Sequence, residues 1–76
     1  MTIATLIKNI PYVQGIVTVS VWKDGEEIER VQVESDCVSA SALEAKCKGV
    51  TRLHIKYMFA RYDELVIEAD GDNWKK

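Results

Sequence analysis

Cysteine and histidine are scarce in this chain, and their scarcity excludes several classes of protein. Two cysteines and one histidine among 76 residues are too few for a structural zinc site, which needs about four ligands. A small secreted disulfide scaffold would also carry about four or more cysteines. We therefore expect Cys37 and Cys47 to be reduced thiols, with a disulfide between them as the alternative. No metal and no other cofactor is expected.

Long apolar runs and a strong charge of one sign are also lacking. No stretch approaches the ~20 apolar residues of a transmembrane helix, and residues 1–13 lack the basic start and cleavage site of a secretion signal. The net charge is −2, whereas domains that bind nucleic acid through bulk charge are usually strongly basic. These features predict a cytoplasmic protein without membrane contact.

Catalytic patterns are the third absence. His54 is the only histidine and the one obvious candidate for a general base, and it lies between Arg52 and Lys56 with no nucleophile beside it in sequence. No glycine-rich phosphate loop or common hydrolase motif occurs. A domain this short buries only about 60 % of its unfolded surface, which leaves little room for an enclosed substrate pocket. We predict a non-enzymatic protein without a small-molecule substrate.

Alternating valines are the clearest pattern that is present. Val17, Val19 and Val21 alternate with polar residues and predict a strand over 15–23, followed by a return strand over 26–35. A three-residue turn, Lys23 to Gly25, would pair Val17 with Val31 and keep valines on one face. A two-residue Asp24-Gly25 turn would mix Arg30 into that face. The valine match favours the longer turn, with a positive φ at Gly25.

The remaining elements complete a single α+β domain over residues 1–76. Ser41 to Glu44 has the form of a capping box, with Ser39 as an alternative cap, and begins a short helix. A strand over 50–59 would point Tyr57 and Phe59 inward, a last strand covers 64–69, and 70–76 is a polar tail. Residues 2–10 fit either a helix or a strand, and we favour a strand. The expected fold is an antiparallel sheet of four to five strands with one short helix on one face.

Two groups of outward side chains are candidates for partner binding. The first lies on the hairpin and comprises Trp22, Ile28 and Arg30, since tryptophan and arginine are enriched in interface hot spots. Packing of Trp22 under the N-terminal segment or the tail is the alternative.

The second group is a basic stripe on one strand face. It comprises Arg52, His54 and Lys56, followed by Arg61 at the next turn, and it could follow a phosphate backbone or meet an acidic partner. A solvated face is the alternative. A specific interface buries about 800 Å² per partner, a large share of so small a surface, so we add Trp74 in the tail to the candidates.

The order of elements resembles that of small bacteriophage-encoded anti-CRISPR proteins. Residues 16–34 and 39–55 carry the resemblance, with Gly25 at the hairpin turn. It implies a phage protein that evades host defence by binding a host protein or ribonucleoprotein, the CRISPR surveillance complex, and inhibiting it by steric occlusion. The alternative is a small nucleic-acid-binding module that uses the basic strand face. A monomer and a homodimer both remain open.

Overall fold

The computed structural model describes residues 1–9, 14–72 and 74 and shows one four-stranded sheet with two short helices. The elements are α1 (Ile3–Asn9), β1 (Gly15–Lys23), β2 (Glu26–Ser35), α2 (Ala40–Lys46), a 3-10 helix (Val50–Arg52), β3 (Ile55–Arg61) and β4 (Glu64–Asp70). The strand order is β2-β1-β4-β3. The α+β class is confirmed. The sheet is mixed rather than antiparallel throughout as expected, because β4 lies parallel to β1 and antiparallel to β3, and a second helix accompanies the expected one.

The turn between β1 and β2 is shorter than predicted. It has two residues, Asp24 and Gly25, with φ of 54° and 79°, and positive φ at both positions is what a type I′ turn requires. The positive φ at Gly25 is confirmed, whereas the three-residue turn is wrong.

A bulge at Ile28 explains why the valines still share one face. Val21 lies opposite Glu29 while the next residue of β1 lies opposite Glu27, so Ile28 is the extra residue. The extra residue shifts the pairing of β2 with β1 by one position, so that the valines of β2 lie on the same face of the sheet as those of β1. Val31 then pairs with Val19, and the predicted pairing of Val31 with Val17 is wrong.

The valine face of the sheet packs against the helices and forms the core. Fully or almost fully buried side chains come from α1, β1, α2, the 3-10 helix and β4: Ile3, Val17, Val19, Val21, Leu43, Val50 and Ile67. No helix among the described residues is long and apolar enough to cross a membrane.

Residues 3–9 form a helix, so the strand favoured for residues 2–10 is wrong; Ile10 lies outside the described residues. The Thr2 hydroxyl accepts a hydrogen bond from the Thr5 backbone at 3.2 Å and caps the helix. Ile3 and Leu6 are buried on the face toward the core. The helical spacing of the apolar residues therefore outweighs their β propensity here.

The N-terminal residues also extend the sheet edge beside β3. The Ile3 backbone donates to the Leu53 carbonyl at 3.1 Å, and the Ile55 backbone donates to the Met1 carbonyl at 2.8 Å. Thr2 forms an isolated antiparallel bridge with His54.

Helix α2 begins at the alternative cap. The Ser39 hydroxyl accepts from the Ala42 backbone at 3.2 Å, so Ser41 lies within the helix. The chain after it turns through the 3-10 helix before β3 starts at Ile55, five residues later than the strand predicted from Val50.

Strand β3 contains a bulge that reverses the predicted orientation of its aromatic residues. Ile55 lies opposite Ala69 and Tyr57 lies opposite Glu68, so Lys56 is an extra residue. Ile55 packs against the core, whereas Tyr57 and Phe59 point to the other side of the sheet. Their predicted inward orientation is wrong.

The predicted polar tail is partly structured. β4 continues through Asp70, and Trp74 packs against the core. Asn73, Lys75 and Lys76 lie outside the described residues.

Candidate functional site

The side of the sheet away from the helices is the most distinctive surface of the molecule, and we call it the open face. Strand alternation and the pairing registers place these side chains on it: Thr18, Ser20, Trp22, Glu27, Arg30, Gln32, Glu34, Tyr57, Phe59, Arg61, Glu64, Val66 and Glu68. The side chains at its centre, Thr18, Ser20 and Val66, are buried.

An exposed aromatic pair occupies the β3 side of the open face. The Tyr57 and Phe59 side chains are 56 % and 40 % exposed, and their rings stack with centroids 6.2 Å apart. A hydrogen bond with the Glu68 carboxylate raises the pKa of Tyr57, because ionisation would remove the donated proton. The pair therefore presents apolar ring surface with one tethered hydroxyl.

A hydrogen-bonded network crosses the middle of the open face and centres on Glu64. Its carboxylate accepts from the Thr18 hydroxyl, from the Arg61 guanidinium at 3.2 Å and from the Gln32 amide at 3.4 Å. The Gln32 amide also donates to the Thr18 hydroxyl at 3.1 Å. The Thr18 bond, followed by Arg61, holds the pKa of Glu64 below its usual value. Four side chains from all four strands are thus fixed relative to one another.

A second charged pair lies toward the hairpin end. Arg30 donates to both oxygens of the Glu27 carboxylate, at 2.6 and 3.3 Å, which raises the pKa of Arg30 and lowers that of Glu27. The buried Ser20 hydroxyl lies near Glu27 and also lowers its pKa, yet makes no hydrogen bond of normal geometry to any described residue. Both arginines of the open face are therefore matched by a glutamate.

Only three of the eight predicted contact residues meet on the open face. Trp22, Arg30 and Arg61 lie there, as the registers show. Trp22 is half-buried, and its indole nitrogen is buried without a hydrogen-bond partner among the described residues. Ile28 is 40 % exposed in its bulge, at the outer edge of β2.

The predicted basic stripe does not lie on one strand face. Arg52 belongs to the 3-10 helix, His54 pairs with Thr2, and Lys56 is the bulge residue of β3. All three are exposed, but the helical turn and the bulge break the alternation that would align them. Trp74 lies on the helix side of the sheet, beside a shallow groove of ≈ 450 Å³ that Lys46 and Lys48 also line.

Sequence reasoning missed Tyr57 and Phe59 as site residues. A usable signal was present, because Tyr57-Met58-Phe59 is a run of three large apolar residues. Alternation along a strand puts one member of such a run on each face whichever way the strand is turned. Comparisons with models of known protein families, with curated proteins and with solved structures found no match.

Proposed function

We propose that this chain is a non-enzymatic protein-binding domain that docks its open face onto a larger assembly and inhibits that assembly by steric occlusion. The exposed Tyr57–Phe59 stack is the observation that carries the proposal. Exposed apolar surface rimmed by polar groups is typical of protein interaction sites. Aromatic and arginine side chains, which dominate interface hot spots, are both present on the open face.

The charges on the open face favour a protein over a nucleic acid. Arg30 and Arg61 are each bound to a glutamate, and Glu34 and Glu68 add further negative charge. A phosphate backbone needs unmatched cations along its path. Pairs of opposite charge already in place suit the polar rim of a protein interface.

One observation favours the nucleic-acid alternative. Two neighbouring rings on a sheet surface are what many single-strand binders use to stack bases. The spacing of Tyr57 and Phe59 on alternate positions of β3 fits that use, so the experiment below includes a nucleic-acid arm.

We also propose which larger assembly this chain binds. The element order over residues 16–34 and 39–55 resembles that of small phage-encoded anti-CRISPR proteins, which supports a host CRISPR surveillance complex as the partner. A cytoplasmic location of this chain belongs to the same proposal.

The proposal is tested by comparing how tightly the wild type and variants of the open face bind the partner. Tagged wild-type protein is mixed with surveillance complex that DNase has freed of DNA, and its affinity is compared with that of Tyr57→Ala and Arg30→Ala. Each truncation should weaken binding by more than about 1 kcal/mol if it removes a hot spot. Lys8→Ala, an exposed residue of α1, is the matched control and should bind as the wild type does.

The nucleic-acid arm uses fluorescence anisotropy with labelled single-stranded RNA and DNA. We expect no binding at physiological salt. Tight binding with a steep salt dependence, lost in Tyr57→Ala, would contradict the inhibitor proposal and establish the alternative.

A further inference from the structure

We propose that the outer edge of β3 pairs with the same edge of a second copy of this chain, antiparallel about a twofold axis at Phe59. Tyr57 and Phe59 also carry the proposed function, but the pairing does not rest on that function, since it is made by the backbone edge of β3. Tyr57, Met58 and Phe59 are 56 %, 46 % and 40 % exposed on a strand whose outer edge, beyond Ile55, has no neighbour among the described residues. Such an edge is a template for pairing with another strand.

The two edges of this sheet are protected very differently. The β2 edge carries a bulge at Ile28 and these charged residues: Glu26, Glu27, Glu29, Arg30 and Glu34. Bulges and charges are the usual means of blocking edge-to-edge association. Strand β3 has its own bulge at Lys56, but its residues 57–60 carry no charge and no bulge, so this stretch is open to a partner strand.

The backbone groups that would pair can be deduced from the turn before β4. Arg61 lies opposite Glu64 across the two residues Tyr62 and Asp63, and the pair that closes such a turn is hydrogen-bonded. Hydrogen-bonded and non-bonded pairs alternate along an antiparallel ladder. The N–H and C=O groups of Met58 and Ala60 therefore point away from β4, toward the open edge.

The N-terminal segment restricts the register of the pairing. Met1 already occupies the outer edge at Ile55, so a second copy can only align with the part of β3 nearer Arg61. An axis at Met58 would place Arg61 of the second copy opposite Ile55, where Met1 lies. An axis at Phe59 avoids this overlap and leaves five pairs, from Tyr57 to Arg61.

The register about Phe59 is complementary in both size and charge. It places Phe59 against its own counterpart on the open face and Met58 against Ala60 on the helix side. It places Arg61 opposite Tyr57 of the second copy, where a guanidinium and an aromatic ring attract each other. No two like charges face each other. The two open faces then form one continuous surface whose aromatic pairs meet at the axis.

Sedimentation velocity over a range of protein concentrations tests the pairing. The wild type should shift from the mass of one chain to twice that mass as concentration rises. Ala60→Pro removes an outward N–H, which an edge strand tolerates, and should remain a monomer with the circular dichroism spectrum of the wild type. A wild type that stays monomeric at every concentration would overturn the proposal.

A charge swap at the axis keeps the test decisive if Ala60→Pro fails to fold. Phe59→Lys and Phe59→Glu each place two like charges at the axis and should each be monomeric. Mixed in equal amounts, they should form a dimer. Ile28→Lys is the matched control, since Ile28 and Phe59 are equally exposed, at 40 %, on opposite edges of the sheet; it should dimerise as the wild type does.

These outcomes are separable from those of the proposed function. Loss of dimer in Ile28→Lys but not in Phe59→Lys would place the contact at the other edge and refute the β3 pairing. Arg30→Ala should lose partner capture while remaining a dimer. Dimerisation of wild type with no partner capture would leave the β3 pairing intact and count against the docking proposal alone.

Discussion

At the scale of single residues, Glu44 joins two elements through three hydrogen bonds. Its carboxylate accepts hydrogen bonds from the Gly49 backbone at 2.9 Å, the Thr51 backbone at 2.8 Å and the Thr51 hydroxyl at 2.7 Å. Gly49 has a φ of 87°, so the chain reverses sharply here. One carboxylate thus ties the end of α2 to the start of the 3-10 helix.

These bonds make Glu44 a source of pH-dependent stability. The Thr51 hydroxyl, followed by the two backbone donors, lowers the pKa of Glu44. A carboxylate with a lowered folded-state pKa stabilises the fold above its unfolded pKa, and the gain is lost as pH falls through the folded value. Glu44→Gln should cost about 1–2 kcal/mol near neutral pH.

Urea unfolding between pH 7 and 3 would measure this effect. The difference between the wild type and Glu44→Gln should shrink as the pH falls. Glu34→Gln, at an exposed carboxylate of β2, is the control and should change stability little. A difference for Glu44→Gln that is constant over the whole range would show that the charge is not the cause.

Gly25 is the second residue whose identity the backbone dictates. Its φ is 79°, and apart from Gly25 and its two chain neighbours no atom lies within 4 Å of the position a Cβ would take, so substitution affects the backbone conformation alone. Gly25→Ala should therefore destabilise the fold by roughly 1 kcal/mol. Gly25→Asn should lose less, since asparagine tolerates positive φ. Equal denaturation midpoints for the wild type and Gly25→Ala would argue against this turn.

At the scale of elements, the first hairpin shows what local pattern can predict. The alternation of Val17, Val19 and Val21 predicts both the strand and the face that it buries. It also requires Val31 and Val33 of the return strand to lie on that face. The turn length was wrong because the register argument assumed a regular ladder. The bulge at Ile28 offers a second way to align the valines, and a bulge leaves no distinct mark in sequence.

The other elements depended on contacts that are distant in sequence. The bulge at Lys56 exposes Tyr57 and Phe59, and nothing in the neighbouring residues indicates it. The parallel pairing of β1 with β4 joins residues about fifty positions apart, which hydrophobic alternation cannot report. Helix α1 was ambiguous because Ile3 satisfies both periodicities; Thr2 capping and the contact with Leu53 decide it.

At the scale of the whole molecule, both ends of the described chain are tied to the body. Met1 and Ile3 bond to the edge beside β3, while Trp74 packs against the core with its indole against Gly49. A domain of this length has only a small margin of stability. Contacts made by the last residues are therefore a larger fraction of the total than they would be in a bigger protein.

Trp74 should therefore contribute to stability rather than behave as part of a solvated tail. Trp74→Ala removes a half-buried indole from the core and should cost about 2 kcal/mol, less than the loss for a fully buried tryptophan. Trp74→Phe should lose clearly less, since it keeps ring contacts and removes an indole N–H that is buried without a partner among the described residues. It also leaves Trp22 as the sole tryptophan, so fluorescence can follow its unfolding in urea. A Trp74→Ala midpoint equal to that of the wild type would show that the core closes without this side chain.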